Sequence, residues 1–290
     1  VGFHLYLPQM RLTHEAIVER ALAAEAAGFE GMAFMDHLAP PMALDQPMFD
    51  ALTTAAWVLA NTTTLVVGHL VLCDAFHHPA VLARQAMSLD QASQGRFELG
   101  IGWGSVPDEF ATFGIGARPA ADRVARLAES LTIMRGLWSG EPVNHDGTHF
   151  TLIGAQQAPV PTRRIPIVIG GTGITTMALV REHADWWNVP VHMLDRADAM
   201  REHAGTARVS MQCVVALVPS AADRADVAAM VQRRYGGTPM AQNAVIGTAS
   251  ELADHFQTLS EQGVERFYVW FADFAPVATL ESFASVVDAF

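Results

Sequence analysis

Two stretches of this sequence carry groups suited to chemistry. The first is Asp36-His37, a carboxylate and an imidazole that directly follow the apolar run Gly31 to Met35. An imidazole exchanges protons near neutral pH, so His37 is a candidate acid or base; it also reads as a strand-end ring satisfied by Asp36 or by backbone. The second is Gly170-Gly171-Thr172-Gly173, placed after Ile165, Ile167, Val168 and Ile169. Such a turn lets backbone N–H groups approach a ligand, and a helix opening at Ile174 adds about 0.3 to 1 kcal/mol of attraction for a nearby anion. A phosphate suits that seat. The same glycines suit a tight turn that only needs positive φ, and taken alone they leave both readings open. Trp103, Trp187 and Trp270 read first as core or rim packing and second as walls for a planar ring.

These groups need a scaffold, and the chain alternates strand and helix patterns as a parallel sheet covered by helices does. Strands are expected at Phe3 to Leu7, Gly31 to Met35, Leu65 to Leu72, Phe97 to Gly102, Ile165 to Ile169, Ala184 to Val189, Val209 to Leu217 and Phe267 to Phe271. Helices are expected at His14 to Ala27, Phe49 to Ala60, Pro79 to Ala92, Ala120 to Trp138, Ile174 to His183, Asp195 to Gly205 and Ala221 to Arg234. Thr248 and Glu251 have capping-box spacing for a last helix reaching Gln262. Eight strands with interleaved helices predict an α/β fold, a (β/α)8 TIM barrel, with chemistry on the C-terminal strand ends. On that count Asp36, His37, His69, Leu70, Gly102, Trp103, the glycine turn, Trp187 and Asn188 face one mouth. We read residues 1–290 as one domain. The irregular insertions at about 140–164 and 234–247 are expected over the C-terminal rim, walling a pocket.

Bulk properties remove several classes. The formal charge of −12 argues against nucleic acid or an anionic membrane as partner. All basic residues are Arg; without Lys there is no Schiff-base chemistry. Cys73 and Cys213 each fall in an apolar run and read as core thiols of a reducing compartment. With no signal peptide or apolar span in the sequence, a soluble cytoplasmic protein is expected. A metal site is not expected: His4-Leu5-Tyr6 gives no H-x-H pair, and His77 and His78 are neighbours that cannot both point inward from a strand. Gly100-Ile101-Gly102-Trp103-Gly104 is not the G-x-G-x-x-G of a nicotinamide site.

Three blocks in order carry a family resemblance: MDHLAPP with QPMFDALTTAAWVLANTTTLVVGHLV, then HPAVLARQAMSLDQASQGRFELGIGWG, then PIVIGGTGITTMALVREHADWWNV. With them the chain resembles the luciferase-like monooxygenase superfamily, which contains FMN-dependent oxygenases and oxidoreductases that use the deazaflavin coenzyme F-420. The resemblance runs from Gly2 to about Val189 and returns at Ile246 to Phe271. It implies a planar ring at the barrel mouth, a phosphate on Gly170 to Gly173, and contacts from His69, Leu70, Gly102, Trp103, Trp187 and Asn188. It also implies a bulge in strand three with a non-proline cis peptide, which maps by position to His69–Leu70.

Asp36-His37 with its proline-bearing loop and the IGGTG form resemble the deazaflavin branch more than the FMN branch. The resemblance then makes His37 the proton carrier for hydride transfer between F-420 and a small organic substrate, with Asp36 fixing its tautomer. This sequence departs from the family in three places: Trp186 stands where a glycine is common, Ser105 where one branch has an acid, and His78 before Pro79 where an Arg is usual. Glu109 is displaced by a helical turn from that acid position. The alternatives are an FMN-dependent monooxygenase fed by a separate reductase and a non-catalytic flavin-binding barrel. Either enzyme is expected to act as a homodimer.

Overall fold

The structure is a computed structural model and describes residues 1–41, 43–116 and 118–290. In chain order it forms β1 (Gly2–Tyr6), α1 (His14–Ala26), β2 (Gly31–Phe34), α2 (Ala51–Asn61), β3 (Val66–His69), β4 (Leu72–Cys73), α3 (Pro79–Ala92) and β5 (Leu99–Gly102). Then come α4 (Pro107–Thr112), α5 (Ala120–Ser139) and the hairpin β6 (Val143–Asp146) and β7 (Thr151–Ala155). The second half contains β8 (Ile167–Gly170), α6 (Ile174–His183), β9 (Trp186–Pro190), α7 (Leu194–Arg201), β10 (Arg208–Leu217) and α8 (Arg224–Tyr235). It ends with α9 (Pro239–Gln242), β11 (Val245–Gly247), α10 (Ala249–Glu261), β12 (Arg266–Phe271) and α11 (Val277–Val287).

Local chemistry sets the helix starts. The Thr13 hydroxyl accepts from Ala16 N at α1, the Asp50 carboxylate accepts from Thr53 N at α2, and Pro79 opens α3 where its missing N–H costs nothing. Thr248 and Glu251 make the expected reciprocal capping box of α10.

The strands lie side by side in the order β3-β2-β1-β12-β10-β9-β8-β5-β4, and every ladder along this path is parallel. β3 and β4 are two halves of one chain passage at opposite ends of that order. A parallel bridge between Val67 and Phe97 joins them across the seam, through Val67 N to Arg96 O at 2.8 Å and Glu98 N to Val67 O at 3.2 Å. The sheet is therefore a (β/α)8 barrel of eight strand positions, as the alternation predicted. Gly100 allows the tight seam: a Cβ there would lie 1.7 Å from His69 O.

Strand three departs from its expected form in one respect. His69 stays in register with Phe34, and Leu70 N still donates to Phe34 O at 2.8 Å. The His69–Leu70 peptide is thus held in the ladder, and the non-proline cis bond is the next one, Leu70–Val71.

Parallel strands buried on both faces read as continuous apolar runs, and Ile167, Val168 and Ile169 of β8 are fully buried. Outward side chains such as Met211, Cys213 and Val215 pack under the helices, while Val214 and Ala216 of the same strand turn inward. Trp186 fills the N-terminal end of the barrel with the guanidinium groups of Arg208 and Arg266 each 3.8 Å from its ring. Arg266 Nη1 donates to Glu98 Oε2 at 2.8 Å and Tyr268 Oη donates to Glu98 Oε1 at 2.9 Å, so the buried carboxylate is paired and hydrogen-bonded. A glycine at position 186 would leave these groups without their aromatic surface.

The two insertions differ in destination. In the 140–164 segment the β6–β7 hairpin is pinned to α5: the Glu129 carboxylate accepts from the N–H groups of Thr148, His149 and Phe150 and pairs with His145 Nε2 at 3.1 Å. The segment 234–247 carries α9 and β11, and β11 pairs with the far end of β10 from Val215 to Leu217. Among the described residues no helix is long and apolar enough to cross a membrane.

Candidate active site

A cavity of about 270 Å³ opens at the C-terminal strand ends, and its wall includes Asp36, His37, Leu70, Gly102, Trp103, Gly170, Gly171 and Asn188. The imidazole after β2 and the glycine turn after β8 thus reach one opening, as the strand count required. Four of the expected contacts are not in that wall: His69, Thr172, Gly173 and Trp187.

His37 is held from an unexpected side. Its Nδ1 lies 2.9 Å from Glu109 Oε2, while Glu109 Oε1 accepts from Leu38 N at 2.5 Å and Ala39 N at 3.2 Å. Glu109 sits in the first turn of α4 and is almost buried. An ionised carboxylate only accepts, so Nδ1 carries the proton and Nε2 carries the lone pair of the neutral ring. Nε2 makes no hydrogen bond among the described residues. The free Nε2 can therefore accept a proton and, once protonated, give it back from the same atom.

Asp36 does not set the His37 tautomer. Its Oδ2 accepts from Cys73 N at 2.9 Å and from His77 Nε2 at 2.8 Å, which ties the end of β2 to the segment that resumes after the cis bond. The two neighbours thus engage different partners, Asp36 with His77 and His37 with Glu109.

The glycine turn is clamped from β9. Gly171, at φ +121°, donates its N–H to Asn188 O at 3.2 Å, and its own carbonyl accepts from Trp187 Nε1 at 2.7 Å. Trp187 is fully buried and holds the turn from behind, whereas Asn188 Oδ1 is fixed by the Ser210 hydroxyl at 3.3 Å. Gly173 caps α6 without a side-chain hydrogen bond, and no acid lies in that helix's first turn. The exposed first-turn N–H groups remain available to an anion. Thr172 points elsewhere, its hydroxyl 3.1 Å from Met193 Sδ.

His69 is a core residue. It is fully buried, stands edge-on to Phe97 with ring centroids 6.0 Å apart, and burial pushes its pKa down to about 4. Cys73 and Cys213 are free and buried, each thiol pushed up to about 12 by burial.

The wall also contains residues that strand counting missed, Glu109, Phe110, Pro190 and Gln212 among them. Pro107-Asp108-Glu109 is a helix-start signal, and reading it as one would have put this carboxylate on a rigid element. Gln212 was legible too, because period-two alternation along β10 places Ser210, Gln212 and Val214 on one face.

Backbone forms much of the wall at Gly102, Gly104, Gly170 and Gly171; a Cβ on Gly102 would come within 2.8 Å of Val71 Cγ2 and one on Gly104 within 2.5 Å of Phe110 Cζ. Residues 4–286 match the family of luciferase-like monooxygenases. The chain belongs to the luciferase-like monooxygenase family. Curated relatives include the "F420-dependent glucose-6-phosphate dehydrogenase" of Mycolicibacterium fortuitum, 38% identical over 162 residues that cover 54% of this chain and 47% of the relative. The protein of the same name from Mycobacterium tuberculosis (strain ATCC 25618 / H37Rv) is 36% identical over 159 residues, with the same two coverages of 54% and 47%. The chain spans about half the length of the curated relatives it matches. Among solved structures, an F420-dependent secondary alcohol dehydrogenase in complex with an F420-acetone adduct superposes with a TM-score of 0.84 at 18% identity, covering 99% of this chain and 98% of that one. A long-chain alkane monooxygenase superposes with a TM-score of 0.82 at 15% identity, covering 99% and 91%. This family member therefore shares its barrel with deazaflavin enzymes and oxygenases alike, and the fold does not choose between them.

Proposed function

We propose that this chain is an oxidoreductase that binds coenzyme F-420 and transfers hydride between it and a carbon of a small organic substrate. The observation that carries the reading is one cavity holding both the clamped glycine turn and an imidazole whose Nδ1 is committed to Glu109. The F420-dependent names of the curated relatives favour the deazaflavin over FMN. Glucose 6-phosphate, which those names also contain, is not carried over: among the described residues the cavity wall presents the carboxylates of Asp36 and Glu109 and no Arg.

Gly170 to Gly173 and the start of α6 would hold the coenzyme's phosphate; Leu70, Val71, Gly102 and Trp103 would border its ring. When bound, the coenzyme supplies a two-electron acceptor or donor at carbon. The chain's own residues handle the proton. His37 Nε2 takes the hydroxyl proton of an alcohol, or returns it to a carbonyl oxygen, and the Glu109 carboxylate stabilises the imidazolium in between. Asp36, through Cys73 N and His77, fixes the loop that borders the cavity.

Titration of the purified protein with F-420 and with FMN, followed by fluorescence quenching, tests the assignment. F-420 is expected to bind more tightly; tight FMN binding with no F-420 binding would overturn it.

A further inference from the structure

A second cavity of about 240 Å³ adjoins the first, and the two share Pro190 and Gln212, which are partners in the β9–β10 ladder. Beyond that shared pair its wall is Val214, Pro239, Met240 and Trp270 with the exposed His192. Trp270 is held on edge, its ring 5.2 Å from Tyr6 and 5.6 Å from Tyr235. Among the described residues no Arg, Asp or Glu belongs to the wall, and the chain has no Lys. Arg234 on the adjoining α8 is engaged elsewhere, its Nη1 donating to Ala272 O and its guanidinium 5.4 Å from the Phe274 ring centroid.

Resting on the function proposed above, we propose that this chamber receives the non-reacting part of the substrate, and that the substrate is an uncharged alcohol or carbonyl compound with an apolar substituent. A phosphate dianion moved into this wall would lose its water and gain no cation, and burying an unpaired charge is among the most costly things a site can do. An apolar group loses nothing. An apolar cavity of roughly 150 Å³ holds a benzene ring, so a phenyl or cyclohexyl substituent fits the chamber with room to spare. With the substituent there, the carbinol lies at the Pro190–Gln212 junction and opens toward His37. In the oxidation direction the carbinol C–H bond would break, and F-420, when bound, would supply the two-electron acceptor for its hydride. The O–H proton goes to His37 Nε2, and the C=O bond forms.

The test has two arms. In the first, binding of 1-phenylethanol, cyclohexanol and glucose 6-phosphate to the coenzyme-free protein is followed by saturation-transfer NMR, in wild type and in Met240→Arg and Met240→Trp. Met240 lies on the short α9 and is half-buried, so both variants are compatible with folding, which thermal melting checks. The alcohols are expected to bind wild type and to lose at least about tenfold in affinity in both variants, while glucose 6-phosphate gives no signal. In the second arm F-420 reduction is measured with the same compounds, and the alcohols alone are expected to support it. Preferential binding or turnover of glucose 6-phosphate, or alcohol binding unchanged in both variants, would overturn the proposal. If the first arm succeeds and F-420 neither binds nor is reduced, the coenzyme assignment fails and the chamber assignment stands.

Discussion

Glu109 Oε2 lies 2.9 Å from His37 Nδ1, across 72 residues of chain, and its other oxygen accepts from the N–H groups of the next two residues. One carboxylate thus fixes both the ring and the loop that carries it. Replacing Glu109 by Gln keeps the shape, but with the amide oxygen accepting from Leu38 N and Ala39 N the amide nitrogen must donate to His37 Nδ1, which puts the ring proton on Nε2 and removes the base there. The expected result is a fall in kcat of about 10²-fold or less, with His37→Ala falling by about 10² to 10⁴. Coenzyme affinity and KM should stay near wild type in Glu109→Gln. A variant that melts earlier but turns over at the wild-type rate would show that Glu109 only supports the fold.

Gly171 has a positive φ that an L side chain rarely adopts, and it borders the cavity. Gly171→Asp adds strain, bulk and a like charge against the expected phosphate. A loss of at least tenfold in F-420 affinity is expected, about 1.4 kcal/mol, measured as a dissociation constant. An unchanged constant would remove the turn from the site.

Trp187 reaches the proposed coenzyme seat through its Nε1 hydrogen bond to Gly171 O. Trp187→Phe keeps most of the buried ring and deletes the donor, at a cost of about 0.5 to 1.5 kcal/mol for one hydrogen bond. The expected sign is weaker F-420 binding with kcat at saturating coenzyme nearly unchanged. A fall in kcat with unchanged binding would contradict this positioning role.

His69 gives a pH prediction. Burial depresses its pKa from the ordinary 6.5 to about 4, so between these values the unfolded chain binds a proton that the folded chain does not. Stability is then fully present above about pH 6.5 and is lost as pH falls toward 4, on the order of 3 kcal/mol for this one group. His4, His183 and His255 are shifted the same way, chiefly by burial, and steepen the slope. Denaturant melts of wild type and His69→Phe at pH 7 and pH 5 check it: the variant should show the shallower acid loss.

Much of this architecture was legible because its signals are local. The run Ile167 to Ile169, Pro79 at a helix start and the Thr248–Glu251 box each act within a few residues, and each element formed where its signal stands. What was hidden depends on distance or on projection. Asp36 and His37 are adjacent in sequence, yet one pairs with His77 and the other with Glu109, each brought in from a distant stretch of chain. The cis bond falls at Leu70–Val71, one bond beyond the position the family resemblance implied, with His69 still in register with Phe34. The 140–164 insertion contributes nothing to the cavity wall, since Glu129 fastens its turn to α5, whereas Pro239 and Met240 of the 234–247 insertion line the second chamber. Trp186, unusual at its position, is explained by the Arg208 and Arg266 guanidinium groups over its ring.

A crystal structure with F-420 bound tests the central claim most directly. The account predicts the phosphate at the glycine turn on the first-turn N–H groups of α6, and His37 Nε2 facing the ring's hydride-carrying carbon across the space of a substrate hydroxyl, with reacting atoms about 3 to 3.5 Å apart when an alcohol is present. A ring bound away from His37, or a phosphate held outside the glycine turn, would contradict it.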